Sequence, residues 1–294
     1  MQLWRGFLVC IIVILLLKNK KIGIKCVEIF DNYNCMFVSK AIFLHTIKAA
    51  KRDMLFIGNM IGVLIVTLFS TLMGSVALAE RANAKAIYIA SSSRIVIVAG
   101  LMIFVCFHIK RMFENREIEM LLSRAISRTT IVTSLFAGFV VLAVQPIAIA
   151  AVILTLSATS KLGIFLWAVS LLLETVTALA FTMFFALLIE SPVFSLMLSI
   201  SNYIIARVIG SFSAYISITS SAREWYIFTS LSEMAVKLLS IFFPRLDFCA
   251  KSGWLVYGMD SAAYGMFAMG AVQCIIFISL LLSATIFDFK RKNF

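Results

Sequence analysis

Charge is scarce in this chain. Only 14% of its 294 residues are Asp, Glu, Lys or Arg, where a soluble domain carries roughly 25%. No ordinary water-soluble core accounts for that deficit. Proline is almost missing too, with three in the whole chain. Strand-style alternation is sparse, which argues against a spanning barrel of short alternating segments. Histidine is limited to His45 and His108, and none of the six cysteines forms a Cys-x-x-Cys pair. A metal site, or a zinc-dependent intramembrane protease, therefore has too few ligands to draw on. A serine-type enzyme would need a buried base, and none is evident. The Gly-x4-Gly-Lys-Ser/Thr phosphate loop is also missing, so the chain cannot handle ATP by that route.

What is present is apolar. Hydrophobic residues make up 62% of the chain, and the mean hydropathy is +1.05. In lipid every backbone polar group must find a partner inside the protein, so continuous apolar blocks fold as helices. About 20 apolar residues make one span. Six blocks qualify, at about Met54–Ala79, Ala86–Ile109, Ile131–Leu156, Gly163–Leu188, Pro192–Ile216 and Ala262–Phe287. The expected fold is all-α, a polytopic membrane bundle of six transmembrane helices. Cys106 and Cys274 fall inside spans, where a thiol packs as a small hydrophobe.

Residues 1–35 read as a separate N-terminal extension. Phe7 to Leu17 is apolar but only eleven residues long, short for a span. A signal-like segment is a second reading, although the lysines follow the run and no small-residue cleavage site stands out. A start at Met36 is the reading favoured here, which leaves 36–294 as the membrane domain. From there Phe37 to Leu55 reads as an amphipathic lead-in helix lying in the interface. Phe37, Ile42, Leu44, Ile47 and Ala50 would form its apolar side, and Lys40, Lys48, Lys51 and Arg52 its basic side.

The net charge of +12 does not point to nucleic acid, because no solvated basic domain carries it. Lys and Arg sit at helix ends, where they set topology. One side of the membrane receives 12 of them, in the lead-in helix, the second-to-third-span loop and the C-terminal tail; the other side receives seven. The richer side is cytoplasmic by the positive-inside rule, which places both termini in the cytoplasm. Trp167, Trp225, Tyr226, Trp254 and Tyr257 would then line the outer interface as an aromatic belt. The last outer loop, about Thr219 to Ser261, is apolar over Met234–Phe243 and ends at Pro244. That run is too short to span and reads as a re-entrant or interfacial segment.

Within the spans, Glu174 and Arg207 are the deepest ionisable groups. If the fourth and fifth spans form a hairpin turning near Ser191, the two reach similar depths and pair. The pair is either a structural tie between helices or a polar lining of a translocation path. Arg94, near the outer end of the second span, would snorkel to the headgroups. Gln145 precedes Pro146 in the third span, where a proline removes a helix hydrogen bond and marks a kink. Gly58 and Gly62 form a Gly-x3-Gly face for close helix approach, within the chain or between two copies.

The loop from Glu114 to Arg128 is the most informative stretch. Ile118, Leu121, Leu122 and Ile126 follow helical spacing, while Glu117, Glu119, Arg124 and Arg128 occupy other faces. A short amphipathic helix on the cytoplasmic side results. It either rests on headgroups or docks a partner.

Here the residues resemble a known family. The run ENREIEMLLSRAISRTTIV, Glu114 to Val132, is similar to the cytoplasmic loop of type-2, exporter-like ABC transporter permeases. That family often has proline just before Ile-Ser-Arg, where this chain has Ala125. SIFFPRLDF and SGWLVYG, before the last span, and the closing ATIFDFKRKNF also resemble that family. The resemblance covers about Met36 to Phe294. It implies a non-catalytic permease subunit in a bacterial inner (plasma) membrane. The loop helix would be a coupling helix seated on a separate ABC ATPase subunit. ATP and Mg would be bound there and no cofactor by this chain. A second permease protomer, identical or not, and membrane lipids would complete the partners. A secondary transporter would bring internal repeats, broken helices and more midplane charge, none of which is evident. A membrane assembly or scaffold protein is the remaining alternative.

Overall fold

A computed structural model of the chain describes residues 39–76, 80–123, 126–155, 160–219, 234, 243–249, 251–258 and 261–291. In chain order its helices are α1 (Lys40–Arg52), α2 (Met54–Ser75), α3 (Arg81–Glu114), α4 (Glu117–Leu122), α5 (Arg128–Thr155), α6 (Lys161–Leu188), α7 (Pro192–Thr219), α8 (Trp254–Tyr257) and α9 (Ser261–Arg291), with a 3-10 turn at Leu246–Phe248 between α7 and α8. Among the described residues there is no strand. Six helices, α2, α3, α5, α6, α7 and α9, are long and apolar enough to cross a membrane. The chain is an all-α, multi-pass membrane bundle.

Local chemistry sets the helix ends. Asp53 has an extended backbone, and its carboxylate accepts a hydrogen bond from the Leu55 amide at 2.9 Å. That cap ends α1 and starts α2 one residue later, where the sequence suggested one helix to Leu55. Ser160 caps α6 in the same way, accepting from the Gly163 amide at 3.1 Å. Between α6 and α7 the chain turns over Ile189–Ser191. Pro192 then opens α7, a position where its missing N–H costs nothing. α5 continues as helix through Pro146, with Gln145 half-buried beside it.

α6 is the centre of the bundle. It packs against α3, α5, α7, α8 and α9, and 78% of its spanning window is buried, against 17% for α9. Its composition explains this place. Without a hydrophobic force between helices in lipid, small residues and satisfied hydroxyls allow close packing. α6 buries Ser170, Thr175, Thr177, Ala178, Ala180, Thr182 and Ala186. The three threonine hydroxyls donate to carbonyls of their own helix at 2.8–2.9 Å. By contrast α2 turns Ile61, Leu64, Leu68 and Phe69 outward, and α9 turns out Met269, Val272, Ile276 and Leu280. In a soluble protein such faces would mark an interface; around a membrane bundle they face lipid.

Several expectations change. α3 is 34 residues long, roughly 50 Å at 1.5 Å per residue, so it overshoots the bilayer core and carries Lys110, Arg111 and Glu114 as helix. α1 buries Ile42, Thr46 and Ala50 and leaves Leu44 exposed, because it packs on α5 and α2. Trp167 is fully buried, since it lies on α6, which other elements surround, so its ring packs on protein rather than standing out as a belt residue. Trp254 is buried as well, edge-on to Phe267 at 5.9 Å. Trp225 and Tyr226, and the Met234–Phe243 run apart from Met234 and Phe243 themselves, lie outside the described residues, as does the extension 1–35.

Gly58 is exposed, with nothing near enough to touch an added Cβ, and Gly62 meets only Val96 at 3.5 Å. The close approach of α2 to α3 falls on another face, made of Phe56, Asn59, Val63, Thr67 and Ser70. Gly100 of α3 makes room for the buried Asn59 side chain there; a Cβ at Gly100 would overlap its amide. Higher up, the hydroxyls of Ser70 and Ser92 bond across the seam at 2.7 Å.

Candidate functional site

Two places concentrate polar chemistry. The first is the junction of α1, α2, α3 and α4. The α3–α4 link bends at Arg116, whose φ is 55°, and α4 then runs only from Glu117 to Leu122. The helix expected over Glu114 to Arg128 is therefore shorter. Glu114 still belongs to α3, and Ile126 and Ser127 are not helical. Ile118 is buried, and Leu121 and Ile126 are partly buried against the core. These apolar side chains anchor the segment to the bundle. The outward surface is Glu119 and Met120, the latter 61% exposed, with Glu117 half-buried. Leu122 is helical with its side chain outside the described residues, as is Arg124 entirely.

Arg128 has a different place from the one expected. It opens α5, and its guanidinium donates to the carbonyls of Phe289 and Lys290 at 3.2 and 3.0 Å. A cation at the C-terminal end of α9 is favoured by the exposed carbonyls there. Arg128 thus ties the α5 start to the α9 end.

Behind α4 lies a cleft of about 200 Å³ lined by Arg52, Asp53, His108, Arg111, Asn115 and Glu117 among others. Asp53, the α2 cap, also accepts from Arg111 of α3 at 2.6 Å. One carboxylate therefore fixes the α1–α2 elbow to the α3 end that carries α4. Below it, His108 lies against Phe104 with centroids 5.3 Å apart and edge-on to Phe139 at 5.8 Å. A helix cap, an ion pair and an aromatic cluster tie the junction together.

The second place is the bundle interior. Glu174 on α6 is completely buried. Its carboxylate accepts from the Tyr203 hydroxyl at 2.7 Å and faces Arg207 Nη1 at 3.4 Å. The α6–α7 hairpin thus brings Glu174 and Arg207 together. The same Nη1 donates to the carbonyls of Leu246 and Cys249 at 2.5 and 3.0 Å. Arg207 therefore joins the buried carboxylate to the 3-10 turn that precedes α8. Arg94 sits more than three turns inside α3, half-buried, and lies within electrostatic reach of Glu174, Tyr203 and Arg207.

The 3-10 turn is seated in a notch. Gly210 of α7 leaves space for the Asp247 carboxyl, and Gly270 of α9 leaves space for Phe248, whose Cβ would stand 2.9 Å from an added Cβ. Arg245 pairs with Asp247 at 3.2 Å and covers the Phe248 ring at 4.5 Å. Buried backbone away from regular helix still needs hydrogen-bond partners, and Arg207 supplies them to the Leu246 and Cys249 carbonyls.

No protein-family model matches this chain, and no curated protein matches it.

Among the described residues no three His, Cys, Asp or Glu side chains gather as a metal site would require. The polar centre is a closed charge network joining α6, α7 and the turn, with Arg94 of α3 in its field. Its parts missed in the sequence are Tyr203 and Arg94. Tyr203 was findable, because it precedes Arg207 by four residues and so shares its helix face. Asp53 was equally findable as a capping residue between two helices. The carbonyls of Leu246 and Cys249 left no signal, because backbone acceptors are the same in every residue.

Proposed function

We propose that the chain is the membrane-spanning permease subunit of an ABC transporter, exporting its substrate with ATP hydrolysed on a separate nucleotide-binding subunit. The observation that carries the reading is α4. It is a two-turn helix set between two spans, anchored inward by Ile118 and presenting Glu119 and Met120 outward. The resemblance of Glu114–Val132 to the permease coupling loop supports it. So does the Asp53–Arg111 tie behind α4, which links the helix end that carries α4 to the α1–α2 elbow and so offers a displacement a contact through which to reach packed helices. In this reading α4 and both chain termini are cytoplasmic, the membrane is the bacterial inner membrane, and two permeases meet two ATPases. ATP and Mg belong to the partner. The buried Glu174, facing Arg207, gives an ion-coupled secondary transporter its best footing as a rival, because intramembrane carboxylates often serve as ion or proton carriers.

A photo-reactive amino acid at position 120, in cells of the source organism, tests the proposal. The adduct should contain a protein bearing the phosphate-loop sequence of an ATPase. The same probe at Leu68, on the outward face of α2, should not capture it. Adducts at position 120 that contain only lipid would remove the coupling role from α4 and leave the secondary-transporter or scaffold reading ahead.

A further inference from the structure

Three cysteines are described, and they sit in different chemistry. The Cys106 thiol is 3.1 Å from the Pro192 carbonyl, to which it donates. Cys249 and Cys274 instead face each other. Their sulfurs are 4.0 Å apart, although 25 residues separate them in sequence. Each residue is 1% exposed. No disulfide joins them in this structure.

Cys249 follows the 3-10 turn, and Cys274 lies inside α9. The pair therefore spans the seam where the turn rests on the bundle. The seat is specific on both sides, through Gly210 and Gly270. Arg207 holds the Cys249 carbonyl at 3.0 Å, so the thiol is presented to α9 in one register. A disulfide needs sulfurs at about 2.05 Å and allows Cα atoms about 4.4–6.8 Å apart. The two sulfurs have roughly 2 Å to close, shared between two side-chain rotations.

We infer that Cys249 and Cys274 form a redox cross-linking site whose disulfide staples the turn before α8 onto α9. That the turn opens toward an oxidising compartment rests on the orientation given under Proposed function, in which it lies in the half of the bundle opposite the cytoplasmic α4 end. The oxidant is a disulfide-bearing thiol carrier, RSSR. Because both sulfurs are buried, exchange begins when the turn lifts and Arg207 releases its carbonyls. The Cys249 thiolate, having lost its proton to water, attacks RSSR; a Cys249–S–SR bond forms and RS⁻ leaves, taking up a proton as RSH. When the turn reseats, the Cys274 thiolate attacks that mixed disulfide. The Cys249–Cys274 bond forms and a second RSH departs. Two thiols have lost two electrons and two protons, and RSSR has gained them. Once closed, the bond keeps the turn docked and Arg207 engaged.

The test uses the full chain in native membranes. Membrane-impermeant oxidised glutathione is added to right-side-out spheroplasts and, separately, to inverted vesicles. Diamide, which crosses membranes, is a third arm. Samples are acid-quenched, unfolded and alkylated, and non-reduced peptides are mapped by mass spectrometry. A peptide pair joined at Cys249 and Cys274 is expected from spheroplasts and diamide. It should vanish in Cys274→Ser and persist in Cys106→Ser. The wild-type peptide map is the primary readout, so poor expression of a variant does not decide the matter. Cross-linking from inverted vesicles alone would uphold the site and overturn the orientation. Recovery of Cys249 and Cys274 as separately alkylated thiols in all three arms, or of Cys249 joined to another cysteine, would overturn the site.

Discussion

Replacing Arg207 by Met should be the most damaging single change to the bundle interior. The methionine keeps much of the aliphatic volume and removes the guanidinium. Glu174 is completely buried, while the Arg207 side chain is 22% exposed. Removing one member of a buried pair strands the other, at about 3–5 kcal/mol. Two backbone carbonyls, of Leu246 and Cys249, lose their donor in the same step. Glu174 would retain the Tyr203 hydroxyl, and Tyr203→Phe alone should cost about 1.5–3 kcal/mol as a lost bond to a charged group. The double change Glu174→Gln with Arg207→Met should be less damaging than Arg207→Met alone, because neither charge is then stranded. Equilibrium unfolding in mixed micelles, with a double-mutant cycle over the two sites, measures this directly. An Arg207→Met variant within 1 kcal/mol of the wild type, or a double variant no more stable than Arg207→Met alone, would refute the reasoning. A variant of wild-type stability that fails in transport would shift the pair from a structural tie to a path lining.

Other changes test the junctions. Gly100→Ala drives a methyl into the Asn59 amide and should destabilise by about 1–3 kcal/mol; adding Asn59→Ala should recover most of that loss in the same unfolding assay. Asp53→Ala removes both the α2 cap and the Arg111 partner. Its cost should be about 1–2 kcal/mol, larger than that of Arg111→Ala, which keeps the cap. Arg128→Ala frees the carbonyls of Phe289 and Lys290, so limited proteolysis should clip the C-terminal end of α9 faster while the rest of the chain stays protected.

Hydrophobic run length made the spans legible, because lipid leaves the backbone one economical solution. The α6–α7 hairpin was legible for the same reason, and with it the approach of Glu174 to Arg207. Composition could not say which helix would be central. That depends on the small, hydroxyl-bearing face of α6, and several spans carry similar mixtures. Helical spacing placed Ile118 and Leu121 on one face but did not say whether that face turns toward the bundle or a partner. The structure turns it inward and leaves Glu119 and Met120 outside. Arg128 read as a loop charge because its acceptors, two carbonyls at the end of α9, lie more than 160 residues away. Gly58 and Gly62 matched a packing motif by spacing, yet within the chain it is Gly100 that makes the room, because a notch matters there only where a side chain such as Asn59 arrives to fill it.

The most direct test of the central claim is purification of the tagged chain in mild detergent from its native membrane, with ATPase activity assayed on the eluate. Wild type is compared with Met120→Glu, which places a charge on the outward face of α4 and leaves Ile118 and Leu121 in place. The account predicts vanadate-sensitive ATPase activity with the wild type. It also predicts that the variant inserts normally and loses at least tenfold of that activity, about 1.4 kcal/mol of contact. A folded wild-type chain that brings down no ATPase would contradict it.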